Sequence, residues 1–543
     1  MSESAATLDR PAGTPGPPRI LVREKIAPAG VELLRERFDV DVDFDGDLNE
    51  QIAGYDALIV RSATKVTRDL IERADRLKVI GRAGVGVDNV DLEAATERGI
   101  VVANAPQSTV ISAAEHAIAL FLCLSRNIPQ AHAALREGRW ERARFAGHEL
   151  AGKTLGLAGF GRIGQQVARR ALGLEMRVLA YDPYVAPEPF RAIGAERVET
   201  LGWLLAESDY VSLHATLTEE SREMISRDEL AKAKDGIRLV NVARGELVDE
   251  DALLDALRSG KVTGAALDVF SVEPYSGPLA ELENVIVTPH LGASTEEAQD
   301  RAGVIVAEQV AAALEGSVVT NAVNMPAVGA EDFAVLGPFL PLVADLAALA
   351  VALAGGSPTR LELMYLGRLA ERDTRLLTAA ALNGVFQGRV EQAVNYVNAP
   401  LIARSRGLEV VESASTASPD FTSLVAVTAH AADGRTYAVH GTTIGQENRR
   451  QLTRVLDYEI DVELDKQMLF AENDDTPGMI GRIGTILGES GINIANMAVS
   501  RNRHERRALM VLTLDNVPFE GVLERVRAEP GFVDARFIVL PEP

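Results

Sequence analysis

The chain has 543 residues, 47% of them hydrophobic, 24% charged and 5% aromatic, the make-up of a globular protein with room for three or four domains of about 150 residues. With 55 lysines and arginines against 78 aspartates and glutamates the net charge is −23, which repels nucleic-acid phosphates and anionic membranes, so neither is expected as a partner. The single cysteine, Cys123, excludes an intrachain disulfide and a thiolate zinc cluster, and no metal is expected.

Residues 1–18, rich in Pro, Gly, Ser and Ala and lacking the apolar core of a secretory signal, read as a flexible tail. Cys123 reads as a buried packing thiol, and its isolation fits a reducing cytoplasm. From 19 to about 321, short apolar runs alternate with stretches of helical periodicity, the pattern of parallel sheets covered by helices. Strands are predicted at 20–24, 57–61, 78–82, 100–104, 154–158, 177–181, 210–214, 238–242, 264–268 and 285–288. A dinucleotide-binding unit uses about six, and its glycine fingerprint begins only near Thr154, so the earlier strands belong to a second lobe. Two doubly wound α/β lobes facing a cleft are expected.

Past 323 the pattern turns to Ala- and Leu-rich helical stretches. The most apolar, 339–356, is interrupted by Pro341 and Asp345 and is too short to span a bilayer, so it reads as a buried helix. Residues 408–444 are strand-like with polar turns. The last portion, 467–540, reads strand, helix, strand, strand, helix, strand, the ferredoxin-like order. A unit of that size is more often a regulator or dimeriser than a catalyst.

Gly159, Gly161 and Gly164 form a GxGxxG pattern between a predicted strand and a helix. The first glycine allows the tight turn, the second close approach of a pyrophosphate, and the third close helix packing. The next strand ends in Asp182, about 20 residues on, where a carboxylate meets the adenosine ribose hydroxyls. Asp182 repels a 2′-phosphate and no arginine follows it directly, so NAD is expected rather than NADP.

Arg244, Glu273 and His290 fall at or just beyond the C-terminal ends of predicted strands, the edge where open α/β sheets bind ligands. A guanidinium there can grip a carboxylate at two points. A histidine can take the proton of a hydroxyl that loses hydride, with a carboxylate to orient it and stabilise its cation. Taken singly, each is equally readable as a solvated loop residue.

The runs 60–66 (VRSATKV), 81–91 (GRAGVGVDNVD), 159–164 (GFGRIG), 241–245 (NVARG), 266–270 (ALDVF) and 289–294 (PHLGAS) resemble the D-isomer-specific 2-hydroxyacid dehydrogenases, in particular their phosphoglycerate branch. The resemblance implies a Rossmann-type nucleotide lobe, 107–294, inserted into a flavodoxin-like substrate lobe, 19–106 with 295–325. It implies Arg244 on the substrate carboxylate, His290 as general acid/base and Glu273 as its partner. It also implies Arg162 and Ile163 at the pyrophosphate, and Ala215, Val242, Asp268 and Gly292 around the cofactor. Arg61, Ser62 and Arg82 match the family's phosphate pocket, Asn104 stands beside the carboxylate, and Arg142 matches a position that contributes across a dimer. Relatives usually carry a proline where this chain has Ala215-Thr216.

The C-terminal unit, 465–543, resembles an ACT domain, with DTPG at 475–478 and GINI at 491–494 bounding its first helix. That implies an L-serine effector on Asn473, Asp475 and Asn493, although an aspartate and an asparagine at helix ends are equally common caps. Residues 326–460, with VNYVNAP at 394–400, resemble the α+β intervening domain of the long form, expected to relay effects between the ACT and catalytic units. The implied reaction is oxidation of 3-phospho-D-glycerate to 3-phosphooxypyruvate by NAD, the first step of serine synthesis, in a cytoplasmic homo-oligomer, dimer or tetramer. The alternatives are another 2-hydroxyacid dehydrogenase, of glycerate or 2-hydroxyglutarate type, or a nucleotide-sensing corepressor-like protein.

Overall fold

The computed structural model describes residues 16–317, 319–418, 420–502 and 506–541. The expected tail falls almost wholly outside them. The first sheet joins β1 (Arg19–Val22), β2 (Asp39–Val42), β3 (Ala57–Val60), β4 (Val79–Arg82) and β5 (Val101–Asn104) in the order β2-β1-β3-β4-β5, all parallel. This is the flavodoxin-like order. Its central strands are apolar because helices cover both faces. The chain leaves this sheet after Asn104 and returns with the helix Glu296–Leu314, which packs on β4 and β5.

Between these crossings lies the second parallel sheet: β6 (Thr154–Ala158), β7 (Arg177–Tyr181), β8 (Glu196–Arg197), β9 (Tyr210–Leu213), β10 (Ile237–Asn241), β11 (Val262–Leu267) and β12 (Val285–Val287). Their order is β12-β11-β10-β9-β6-β7-β8. The chain reverses direction across the sheet beside β6, and in such sheets the ligand crevice opens at that switch point. The helix Val110–Arg126 runs from the crossing onto this lobe, burying Ala114, Ala117, Phe121 and Leu124. Cys123 packs at the edge of that core, and burial raises its thiol pKa.

The third sheet is mixed: β13 (Arg360–Gly367), β14 (Glu409–Ser415), β15 (Ser423–His430), β16 (Thr436–Ile444), β17 (Arg449–Val455) and β18 (Tyr458–Glu463), ordered β14-β13-β15-β16-β17-β18. It exceeds the strand-like 408–444 of the sequence at both ends. The helix Phe339–Ala354 is buried against β15 and β16, as its composition requires. The last sheet, of β19 (Gln467–Asp474), β20 (Ile494–Asn502), β21 (Arg507–Leu514) and β22 (Phe532–Val539), has the order β20-β21-β19-β22. It is not an isolated bead. Met468, Phe470, Leu509, Val511 and Ile538 join the core of the third sheet. Lys466 Nζ donates to both Asp345 Oδ1 (2.9 Å) and the carbonyl of Pro541 (2.8 Å). Among the described residues no helix is long and apolar enough to cross a membrane.

Candidate active site

The glycine turn is built as its residues require. Gly159 has φ +102°, and a Cβ there would stand 2.5 Å from the His214 carbonyl carbon, so the turn is pressed onto the strip following β9. A Cβ on Gly164 would lie 2.4 Å from the Gly159 carbonyl oxygen, which fixes the close seat of the helix Arg162–Gly173. Gly161 caps that helix and has open space around it. The free amides of a twelve-residue helix there form an anion seat for a pyrophosphate. Asp182 Oδ2 accepts the Phe160 amide at 2.8 Å, so the carboxylate expected at the ribose stands beside the turn. Arg162 is exposed and Ile163 half-buried at the helix start. These residues fit NAD.

Because β10, β11 and β12 are neighbours, Arg244, Glu273 and His290 emerge along one edge. His290 Nδ1 lies 2.9 Å from Glu273 Oε2, and Glu273 Oε1 accepts the Phe270 amide at 3.1 Å. With Nδ1–H donating to the carboxylate, Nε2 is left as the proton acceptor. A Cβ on Gly245 would overlap the backbone of Phe270 and Ser271, so the Arg244–Gly245 turn packs directly on the Glu273 segment. Asn241 fixes that turn, donating from Nδ2 to the Arg244 carbonyl (2.8 Å) and accepting the Ala243 amide (3.0 Å).

His290 has φ +54°, a left-handed conformation that costs about 1–3 kcal/mol and persists only where neighbours hold it. Asp268 holds it. Its carbonyl accepts the His290 amide (2.9 Å), Oδ1 the Leu291 amide (2.7 Å) and Oδ2 the Gly292 amide (2.8 Å). Oδ1 also takes the Thr288 hydroxyl and lies 3.1 Å from His116 Nε2. Burial raises the Asp268 pKa, but the hydrogen bonds from His116, Thr288 and the two amides outweigh it and keep the carboxyl below its ordinary range. Asp268 is fully buried with both carboxylate oxygens already accepting, so it stands beneath the 288–292 loop rather than open to the cleft, and its expected contact with the nicotinamide carboxamide is not open in this structure. A Cβ on Gly292 would lie 2.8 Å from Val242 Cγ1, which puts these two expected cofactor neighbours side by side.

Across the cleft, Arg61, Arg82 and Arg244 share one field: burial, the largest influence, lowers the Arg82 pKa, Asp88 and Glu24 oppose that, and Arg244 and Arg61 add to it. Arg82 Nε is buried without a hydrogen-bond partner. A Cβ on Gly86 would meet Asp88 Oδ2 at 2.7 Å and Arg244 Nη2 at 2.9 Å, so Arg244 reaches the first lobe. Asn104 Nδ2 donates to the Val85 carbonyl at 2.5 Å, and so pins the 84–86 loop.

Sequence reasoning missed two residues that hold the Arg61–Ser62 loop. Glu24 accepts the amides of Arg61 (2.9 Å), Ala63 (3.3 Å) and Thr64 (2.9 Å). Burial raises its pKa, but those amides outweigh it and leave the pKa below the usual value. Asn89 Nδ2 donates to the carbonyls of Arg61 (2.8 Å) and Thr64 (2.6 Å). Glu24 stands just past the end of β1, so the strand-end rule that found Arg244 applies to it too.

Not every expected residue joins a cluster. Arg142 is exposed after the helix Ile128–Arg136, and among the described residues no hydrogen bond or ion pair ties it to the site. The three expected effector residues do not meet within one chain. Asn473 pairs with Ala508 and Asp475 lies 3.3 Å from Arg501 Nε, whereas Asn493 sits at the Leu514 end of the sheet and donates to Asp515 Oδ2 (2.7 Å). β19 and β20 both run antiparallel to β21, so a strand's length of roughly 20 Å separates the two groups. Asp475 is not an N-cap either, since Gly478 occupies that position for the helix Met479–Glu489.

Fold and site together define a class, the NAD-dependent D-isomer-specific 2-hydroxyacid dehydrogenases: residues 118–292 match the NAD-binding domain of that family. Residues 335–454 match the D-3-phosphoglycerate dehydrogenase intervening domain and 467–531 the ACT domain. The chain is 43% identical over 526 residues to a D-3-phosphoglycerate dehydrogenase of Methanocaldococcus jannaschii, covering 96% of this chain and 100% of that one. It is 44% identical over 502 residues to one from Mycobacterium tuberculosis, covering 92% and 94%. It belongs to the D-3-phosphoglycerate dehydrogenase family. Among solved structures, the TT0316 protein of Thermus thermophilus matches with a TM-score of 0.51 at 38% identity, over 56% of this chain and 99% of that one. A D-lactate dehydrogenase of Aquifex aeolicus complexed with NAD and lactic acid matches at 0.50 and 29%, over 57% and 100%.

Proposed function

We propose that the chain oxidises 3-phospho-D-glycerate to 3-phosphooxypyruvate with NAD, the first step toward L-serine. The observation that carries this reading is the His290–Glu273 hydrogen bond of 2.9 Å, on the same sheet edge as Arg244. Arg244 grips the substrate carboxylate. His290 Nε2 takes the proton of the substrate hydroxyl, and Glu273 stabilises the imidazolium that forms. NAD, when bound, supplies the hydride acceptor. Arg61, Ser62 and Arg82 receive the phosphate, with Arg142 added from a second copy. These arginines favour a phosphorylated acid over a plain 2-hydroxyacid, since an acidic protein holds a trianion only through such local charge.

The substrate lobe is 19–106 with 295–325, the nucleotide lobe 107–294, the intervening domain 326–460 and the ACT domain 465–543. The enzyme works in the cytoplasm as a homo-oligomer. L-serine acts at the ACT domain, and because Asn493 lies at the far end of the sheet from Asn473 and Asp475, a site using all three joins two chains. The intervening domain relays the signal: Asn395 Nδ2 donates to the Gly99 carbonyl of the substrate lobe at 2.7 Å, while the Lys466–Asp345 pair ties the other end to the ACT sheet. NADH appearance with 3-phosphoglycerate, product trapped, with and without L-serine, tests the whole reading. No turnover with 3-phosphoglycerate beside turnover of an unphosphorylated 2-hydroxyacid contradicts it.

A further inference from the structure

Ser112 and His116 sit four residues apart on the helix Val110–Arg126, hence on one face of it. Ser112 Oγ is hydrogen-bonded to Thr295 Oγ1 at 2.8 Å, and Thr295 caps the returning helix Glu296–Leu314 by accepting the Ala298 amide. Arg301 Nε donates to the Ser108 carbonyl at 3.0 Å. The two segments by which the chain crosses between lobes are therefore stitched together at the foot of this helix.

One turn further on, His116 Nε2 lies 3.1 Å from Asp268 Oδ1 and 3.2 Å from Thr288 Oγ1. The Thr288 hydroxyl spends its hydrogen on Asp268, so Nε2 is the protonated nitrogen and donates to the carboxylate. Asp268 in turn binds the amides of His290, Leu291 and Gly292 and keeps His290 in its left-handed conformation. The helix Val110–Arg126 thus joins the lobe crossing, held at Ser112, to His116, and short contacts run on from His116 through Asp268 to the His290 segment. A half-buried imidazole at that point has no packing need for a donor, since a Leu fills its volume.

We infer that His116 is a positioning residue for the reaction, holding Asp268 so that the 288–292 loop presents His290 to the substrate. This rests on the reading of His290 as the acid/base. The helix then serves both lobes, because movement of the crossing segments bears on the same helix face that holds the catalytic loop.

The test uses the full-length protein and the variants H116L and H116Q, because the glutamine amide nitrogen reaches the place of Nε2 while leucine offers no donor. H116L is expected to lower kcat about 10- to 100-fold through misplacement of His290. The KM for 3-phosphoglycerate and for NAD should stay within about twofold, the mark of an interaction felt in the transition state rather than in binding. NADH binding followed by fluorescence should match the wild type, and H116Q should recover most of the lost kcat. An H116L kcat within about twofold of wild type overturns the inference. So does a loss carried by KM for NAD, or an H116Q as impaired as H116L. Should H116L fail to fold, H116N takes its place: its shorter amide stops short of Asp268, so a reduced kcat supports the role and an unreduced one overturns it. A wild type without turnover defeats the reaction and the inference together, whereas an active wild type beside a fully active H116L defeats the inference alone.

Discussion

The carboxylate of Asp182 accepts the amide of Phe160 at 2.8 Å, which fastens the segment after β7 to the glycine turn after β6. The same side chain thus shapes the turn and stands where the ribose hydroxyls are expected. D182A should reduce kcat/KM for NAD about 10- to 100-fold, the worth of one hydrogen bond to a charged group, and reduce it far less for NADP. Parallel steady-state assays with both dinucleotides check this. Equal losses for the two would remove Asp182 from cofactor choice.

Glu24 and Asn89 hold the Arg61–Ser62 loop without being predicted to touch the substrate. R61A and R82A should raise KM for 3-phosphoglycerate about 10- to 100-fold and spare an unphosphorylated 2-hydroxyacid. E24A should show the same selectivity to a smaller extent, because it frees three amides of the loop rather than removing the charge. A uniform effect of E24A on both acids would show that Glu24 acts on general folding instead.

How far the site was legible follows from where each residue sits. The glycine turn, Asp182, Arg244, Glu273 and His290 all lie just past apolar strands, so strand ends alone bring them to one edge. His116 lies inside a helix with nothing in its spacing to mark it, and only the packing of Val110–Arg126 on β10 and β11 reveals its partner. β2 escaped because its sequence, DVDV, is an exposed edge strand without an apolar run. β13 escaped because its alternation lies within a region read as helical. The effector residues come only from the ACT resemblance, and the strand directions place them at opposite ends of the sheet.

Burial holds His214 and His440 neutral, each pushed down to about 4, with Arg454 adding to the effect on His440. An unfolded imidazole takes its proton near pH 6.5, so between about 6.5 and about 4 the unfolded state binds more protons. The stability these two contribute is present above that window and is lost as pH falls through it. Thermal midpoints should drop across it, and H440N should flatten the slope. An H440N midpoint that falls as steeply as wild type would show that His440 plays no part in the acid sensitivity.

The serine site proposed above, shared between chains, makes a complementation test possible. Calorimetry should show L-serine binding abolished in D475A and in N493A separately. It should return at one of the two symmetric sites of each mixed dimer, because that site then keeps both native residues while the other loses both. Mixed oligomers without binding would contradict a site built from both ends of the sheet.

In the proposed reaction His290, held by Glu273 on the same sheet edge as Arg244, moves the proton in oxidation of a phosphorylated 2-hydroxyacid. The most direct measurement is the rate of NADH formation from 3-phosphoglycerate and NAD, product trapped, for wild type and H290A. Wild type should turn over steadily, and H290A should be slower by roughly 10²- to 10⁴-fold with NADH binding intact. An H290A enzyme that forms NADH at close to the wild-type rate would contradict the claim.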